Sequence, residues 1–153
     1  MPVEGQGGSQ VEAGAVFPKA HVLNRLIAKI VDLILVAAAV QLVPPVGWLA
    51  GLAYVLIADG FSGGRSVGKR LIGLQTVLPR ARDVAGFKES IVRNLPLALA
   101  YLLFALPYIG WFLAGGVTLF ETLLIIGNER GIRLGDEIAQ TQVLDDGQLD
   151  RPD

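Results

Sequence analysis

Residues 22–60 read VLNRLIAKIVDLILVAAAVQLVPPVGWLAGLAYVLIADG: a long apolar run, a charge-free turn and a second apolar run. The turn at 44–47, PPVG, cannot continue a helix because proline lacks the backbone N–H and its ring clashes with the preceding turn. The first run has about the 20 apolar residues that a helix needs to cross a bilayer. The stretch therefore predicts a hairpin of two membrane-spanning helices.

A second pair of apolar runs repeats this design. It predicts spans over residues 91–107 and 109–127, joined by the charge-free sequence PYIG at 107–110. With spans over 22–43 and 46–60, the chain is predicted to be an all-α polytopic membrane protein built from two helical hairpins. Its composition, 52% hydrophobic and only 18% charged, argues against a soluble domain with a charged surface.

The basic residues predict the orientation of these spans. All thirteen lysines and arginines lie in three segments, residues 19–29, 65–93 and 130–151. Because lysine and arginine are retained on the cytoplasmic side, both termini are predicted inside and both proline turns outside. Trp48 and Trp111 directly follow the two turns, which is the position of an aromatic belt at the outer interface.

The segments outside the spans predict two tails around one membrane domain. Residues 1–18 are rich in Gly and polar residues and are predicted to be disordered. The membrane domain is predicted over residues 19–144, and residues 145–153 are expected to form a flexible tail.

The central loop and the C-terminal segment predict a small cytoplasmic cap. Residues 66–73 suit an amphipathic segment at the inner surface, with Lys69 and Arg70 towards anionic lipid headgroups. Short extended segments are predicted at 74–78 and 141–144, where they are placed to pair.

Five ionisable residues lie within the predicted spans or at their inner edge: Arg25, Lys29, Asp32, Asp59 and Glu121. A charge at the bilayer centre costs on the order of 3 kcal/mol or more, so such residues face a bundle interior or a cavity. At ~1.5 Å per residue, Asp32 and Glu121 both lie on the order of 10 Å from the inner boundary. We therefore expect one cavity lined by both carboxylates, with Asp59 at its mouth.

Two roles fit these charges. In the first, Asp32 and Glu121 exchange a proton or a cation, and Arg25 tunes the Asp32 carboxylate. In the second, Arg25 or Lys29 neutralises Asp32 from the same helix face, Arg93 pairs with Glu121, and the ion pairs only fix the register of the helices. The chain has no Cys, no metal-ligand cluster and no nucleophile–base pair, so no catalytic residue, cofactor or metal is predicted.

Several short motifs together resemble the RDD family of bacterial membrane proteins, which is named for one Arg and two Asp. Arg25 and Asp32 match the Arg and the first Asp of its first span. The sequence GRSVGKRLIGL at 64–74, which holds Gly68, Lys69 and Arg70, matches the G-x-x-x-G-K-R-x-x-G-L stretch of the family.

Two further motifs extend this resemblance over residues 20–144. Arg93-Asn94 matches an Arg-Asn pair that often opens the third span, and RLGDEIAQTQV at 133–143 resembles the closing motif R-x-L-H-D-x-x-x-x-T-x-V. The match lacks one residue before the Leu, has Gly135 where His is usual, and supplies Asp136 as the second Asp. Arg93, Arg133 and Asp136 are therefore added to the predicted cap.

The resemblance implies a multi-pass protein of the bacterial inner membrane with a transport role. Four short helices are few for a complete pathway, so a homo-oligomer is expected. The alternative is a scaffold or accessory subunit of a larger membrane complex. The expected partners are the lipid bilayer and other membrane proteins, and not nucleic acid.

Overall fold

The computed structural model describes residues 20–129 and 131–146. These residues are mostly helical, with one small sheet. The elements are α1 (Val22–Leu42), α2 (Val46–Ile57) with a 3-10 extension (Ala58–Gly60), α3 (Val67–Ile72), β1 (Leu74–Leu78), β2 (Asp83–Val84), α4 (Phe87–Phe104), α5 (Ile109–Gly127), α6 (Leu134–Ile138) and β3 (Gln142–Asp145). The predicted tail at 1–18 lies outside the described residues, as does most of the tail at 145–153.

The long helices form two antiparallel hairpins, α1–α2 and α4–α5, and α2 packs against α4 between them. The predicted bounds of α1, α2 and α5 agree closely with the structure. Helix α4 begins at Phe87 instead of 91, because Glu89 accepts a hydrogen bond from the Gly86 N–H and caps an extra first turn. It ends at Phe104, ahead of the predicted 107.

Small residues bring the first hairpin together. A Cβ added to Gly47 would lie 2.0 Å from the Ala39 carbonyl oxygen. A Cβ on Gly51 would lie 2.8 Å from Val36 Cγ1. The backbones of α1 and α2 therefore approach at a distance that only glycine allows at these positions.

Large apolar side chains cover the outer faces of the long helices. Exposed examples from each are Ile34 in α1, Leu49 in α2, Leu99 in α4 and Phe112 in α5. Contiguous exposed apolar surface of this kind is rare on soluble monomers.

By length and composition, one helix of the described residues, α5, is apolar enough to cross a membrane. The structure therefore does not support the prediction of four spans as such. Helix α1 carries Arg25, Lys29 and Asp32, α4 carries Lys88, Glu89 and Arg93, and the α2 segment is shorter than a full span. One such helix is weak evidence for membrane association.

The cap is a three-stranded antiparallel sheet in the order β2-β1-β3, flanked by α3 and α6. The predicted strand at 74–78 and its pairing with the C-terminal segment are confirmed, with Thr76 opposite Val143. The hydrophobic pattern of the sequence did not predict β2 or α6, because each is only a few residues long. Strand β3 runs to Asp145, one residue past the predicted domain boundary. Its Val143 packs with Leu74, Ala20 and Ala28 in a buried apolar cluster, and Leu144 and Val77 are buried as well.

Aromatic side chains gather at the end of the helices opposite the cap. The Tyr101 hydroxyl donates to the Trp48 carbonyl oxygen at 3.0 Å, and the two ring centroids are 5.6 Å apart. Trp111 stacks on Phe104 with centroids 6.0 Å apart. This end carries the two turns that the sequence predicts to lie outside.

Candidate functional site

A buried ionic core lies where the cap meets the helices, and Asp136 is at its centre. The Asp136 carboxylate is 2.9 Å from Arg25 Nη2, 2.7 Å from Arg93 Nη2 and 3.2 Å from Arg133 Nε. Asp136 is fully buried. A single carboxylate of α6 thus joins arginines from α1, α4 and the N-cap of α6. We use the name ionic core for Arg25, Asp59, Lys69, Arg93, Glu121, Arg133 and Asp136.

Asp59 forms a second centre of the ionic core. Its carboxylate is 2.7 Å from Lys69 Nζ and 3.7 Å from Arg93 Nε, and it accepts a hydrogen bond from Asn94 at 3.3 Å. The Thr76 hydroxyl accepts from both Arg93 and Lys69. Asp59 is therefore enclosed by charged partners, and it also lines a small cavity together with Asp32.

Lys69 and Arg70 point in opposite directions, which corrects the prediction that both face lipid headgroups. The Lys69 ammonium is turned inward to Asp59, whereas Arg70 is exposed. Helix α3 begins at Ser66, whose hydroxyl accepts from the Lys69 N–H, and it stops at Gly73, whose φ of 75° ends the helical run. In the short helix between them, consecutive residues necessarily face different sides.

The geometry of α6 explains how Asp136 reaches three arginines. Asp136 stands at the third position of the helix and accepts from the Arg133 N–H. A Cβ on Gly135 would lie 1.9 Å from the Arg93 carbonyl oxygen, so only glycine lets α6 pack this closely on α4. A histidine, which the resemblance would place at this position, does not fit the same backbone.

Asp32 lies apart from the ionic core and has no cation within 4.0 Å among the described residues. Its Oδ1 accepts from the Tyr54 hydroxyl at 2.7 Å and from the Gly68 N–H at 2.8 Å, and its Oδ2 accepts from the Ser66 hydroxyl at 2.6 Å. Of the two residues hypothesised to neutralise Asp32, Arg25 is engaged by Asp136 and the Gly131 carbonyl instead. Lys29 lines the same small cavity as Asp32 but forms no ion pair with it. Instead, Asp32 binds α3 to α1 through neutral donors.

Asp32 lines one small cavity, and a larger cavity shares lining residues with it. The Asp32 pocket has about 10 Å³, which is roughly the space of one water, and Lys29, Asp32 and Asn94 are among its lining residues. The arginine cavity has about 460 Å³ and is lined in part by Arg65 and Arg70; the whole lining is Tyr54, Ala58, Phe61, Ser62, Arg65, Ser66, Val67, Arg70 and Leu71. Tyr54 and Ser66 line both cavities. The two hydroxyls that donate to Asp32 thus stand between it and the wider space.

Glu121 does not share a cavity with Asp32, although the two were expected at one depth. The lining of the Asp32 pocket does not include Glu121. Its carboxylate lies 3.7 Å from Arg133 Nε, so its partner is Arg133 and not Arg93 as hypothesised. Both carboxylate oxygens are buried without a hydrogen-bond donor, which makes this the least satisfied charge of the ionic core.

The electrostatics of the cap residues follow from their partners. Burial alone would raise the pKa of Asp136, but the guanidinium groups of Arg93, Arg133 and Arg25 hold that pKa well below its usual range. Burial opposes the charge of Arg133, but the carboxylates around it raise its pKa above the ordinary value. Burial and the neighbouring Arg93 lower the pKa of Lys69 to about 7, against the pull of Asp59.

Sequence reasoning missed three site residues, Tyr54, Ser66 and Thr76. A tyrosine in an apolar helix and a threonine in a strand carry no local sign of a distant carboxylate or arginine. The one readable signal was Ser66, which directly precedes an amphipathic segment as a helix N-cap does. Comparison of the chain with protein-family models, with curated proteins and with solved structures finds no match.

Proposed function

We propose that the chain is a small integral membrane protein of the RDD type, with four helices spanning a bacterial inner membrane and the cap in the cytoplasm. The exposed apolar side chains on all four long helices support this placement. The charges that make α1 unlike a span, Arg25, Lys29 and Asp32, lie at its cap end, where Arg25 enters the ionic core and Asp32 is bonded to the cap helix α3. Their cost in lipid is therefore offset by the protein interior.

Single cysteines test this placement, since the chain has no native Cys. Leu106→Cys lies in the turn between α4 and α5, and Asp83→Cys lies on the exposed hairpin of the cap. A membrane-impermeant maleimide added to intact cells with a permeable outer membrane is expected to label the first variant only. Labelling of Asp83→Cys should require permeabilised inner membranes. Equal labelling of both in intact cells would contradict the four-span arrangement.

We propose further that this protein moves protons through Asp32. The observation that carries the proposal is that Tyr54 and Ser66 both donate to Asp32 and both line the arginine cavity. Hydroxyl groups accept and donate protons at once, so they can relay a proton between a water-filled space and a carboxylate. Lys29 on the far side of Asp32 supplies a second titratable group.

The surroundings of Asp32 disfavour a metal cation as the species that binds there. All three partners of its carboxylate present donor hydrogens, whereas Na⁺ or K⁺ would need oxygen lone pairs. Arg65 and Arg70 line the route of approach and repel cations. The exchanged counter-ion, if there is one, therefore crosses elsewhere in the protein or its oligomer.

Reconstitution tests the proton route. Liposomes that contain the protein and a pH-sensitive dye are given a K⁺ diffusion potential, and in separate arms a Na⁺ or Li⁺ gradient. Wild type is expected to dissipate or generate a pH gradient. In Asp32→Asn the rate of the pH change is expected to fall by at least about tenfold, as for loss of a proton-transferring group. Glu137→Gln is the matched control, because this carboxylate is exposed on the cap. Equal rates for empty liposomes and wild type, or for Asp32→Asn and Glu137→Gln, would contradict the route.

A scaffold subunit is the second candidate function, and the open face of α5 favours it. A Cβ added to Gly115 or Gly116 would meet no atom within 4 Å. At Gly47, by contrast, an added Cβ would clash with the backbone of the neighbouring helix. Helix α5 packs mainly on α4 and leaves most of its apolar surface exposed. A second polypeptide that purifies with the chain in fixed stoichiometry, together with inert liposomes, would favour this role.

A further inference from the structure

The arginine cavity has a composition suited to an amphiphilic anion. Its polar lining consists of the guanidinium groups of Arg65 and Arg70 and the hydroxyls of Tyr54, Ser62 and Ser66, and no carboxylate is among the lining residues. Since Tyr54 and Ser66 donate to Asp32, the donors left for a ligand are the two arginines and Ser62. Hydroxyl and guanidinium donors are the groups that proteins use to bind phosphate oxygens. With a volume of about 460 Å³, the cavity is wide enough for a charged headgroup and part of its backbone.

The two arginines retain capacity for a ligand. Arg65 pairs with Asp146 through Nη1 at 2.7 Å, but its Nε is buried without a hydrogen-bond partner. Arg70 forms no ion pair with any residue in the described ranges, and it is exposed at the edge of the cavity. The remaining terminal N–H groups of the two guanidinium groups are the donors that an anionic oxygen in the cavity would use.

The rim of the cavity is apolar. Phe61, Val67 and Leu71 are 48%, 47% and 70% exposed, and all three line it. They stand beside the end of α2, at the level where the long helices give way to the cap. In the proposed membrane placement this is the cytoplasmic headgroup region. A ligand with a phosphate at one end and acyl chains at the other would match both the basic lining and this rim.

We infer that the arginine cavity is a binding site for the phosphate headgroup of an anionic phospholipid from the inner leaflet. The lipid phosphate takes the free donors of Arg65 and Arg70, and its glycerol and upper acyl carbons lie against Phe61, Val67 and Leu71. A soluble phosphate compound shares the headgroup chemistry but leaves the apolar rim uncovered. The inference rests on the proposed membrane placement, although not on proton movement through Asp32.

The test measures thermal unfolding of the full-length, delipidated protein in uncharged detergent. Mixed micelles supply phosphatidylglycerol or phosphatidylcholine, and further arms supply glycerol phosphate and inorganic phosphate. Phosphatidylglycerol is expected to raise the unfolding temperature more than the other three additions. Arg70→Gln is expected to weaken its apparent affinity about fivefold, as for one basic residue at an anionic lipid surface. Arg65→Gln acts in the same direction but also removes the pair with Asp146.

Arg80→Gln is the matched control, since Arg80 is exposed on the cap away from the cavity. It should respond to phosphatidylglycerol as wild type does. Equal responses of Arg70→Gln and Arg80→Gln, or equal effects of the anionic and zwitterionic lipids, would overturn the site. An equal shift with glycerol phosphate or inorganic phosphate would overturn the choice of a lipid. The cysteine-labelling experiment tests the proposed membrane placement separately, so its failure can be told apart from failure of the lipid site.

Discussion

Replacing Asp136 with Asn is expected to destabilise the folded protein by about 3–5 kcal/mol, the usual effect of leaving buried charges without their partner. The reason is geometric, since Arg25, Arg93 and Arg133 all reach this one carboxylate within 3.2 Å. The neutral amide offers only one acceptor oxygen to three guanidinium groups. The measurement is chemical or thermal unfolding in detergent, followed by circular dichroism.

Glu137→Gln is the control for this substitution, because it removes the adjacent, exposed carboxylate from the same helix. It should leave stability within about 0.5 kcal/mol of wild type. Equal stability of Asp136→Asn and wild type would show that the ionic core does not hold the cap.

Acid titration gives an independent reading of the same interaction. Since the folded pKa of Asp136 is depressed, its contribution to stability is fully present above the ordinary carboxyl pKa of 3.8 and is lost as the pH falls below that value. Wild type and Glu137→Gln should lose stability over this acid range. The loss should be smaller in Asp136→Asn.

Gly68→Ala is expected to cost more than about 3 kcal/mol of folding free energy, at the upper end of the effects of overpacking. A Cβ at this position would lie 2.0 Å from the Ala28 carbonyl oxygen and 3.0 Å from Asp32 Oδ1. Because the first contact is with backbone, α3 as a whole must move away from α1. That movement would break the 2.8 Å hydrogen bond from the Gly68 N–H to Asp32.

Gly115→Ala is the matched helical control. No atom lies within 4 Å of its added Cβ, and alanine is the better helix former, so stability should be unchanged or slightly higher. Proton movement by Gly68→Ala, measured in the liposome assay, should fall together with that of Asp32→Asn. Normal stability of Gly68→Ala would contradict the close approach of α3 and α1.

The helices were predictable because apolar run length and proline turns are local signals. The runs after Val22 and Ile109 gave α1 and α5 almost to the residue, and the strand at 74–78 was predicted with its partner. Helix α4 was predicted too short because its first turn is polar, and helical caps such as Glu89 become clear only once the start of the helix is known. Strand β2 has only two residues, which is too few to show the alternation of apolar and polar residues that predicts a strand.

The members of the site were largely predictable, but their pairing was not. Spacing predicts Arg25 and Asp32 on one helix face, but it does not identify their partners, which are distant in sequence. Arg25 binds Asp136, and Asp32 binds Tyr54 and Gly68. Helical periodicity predicts which residues share a face of the helix. It does not predict which part of the cap packs against that face. The equal depth predicted for Asp32 and Glu121 likewise did not identify their separate partners, which are Tyr54, Ser66 and Gly68 for Asp32 and Arg133 for Glu121.

The position of Asp136 near the C-terminus has a consequence for biosynthesis. The ribosome completes both hairpins, with Arg25 and Arg93, before it reaches the carboxylate that joins them. Formation of the hairpins and closure of the cap are therefore separate events, and the second waits until α6 has been synthesised. A polypeptide that stops short of Asp136 keeps all its apolar helices but exposes cations that no carboxylate of α6 can cover.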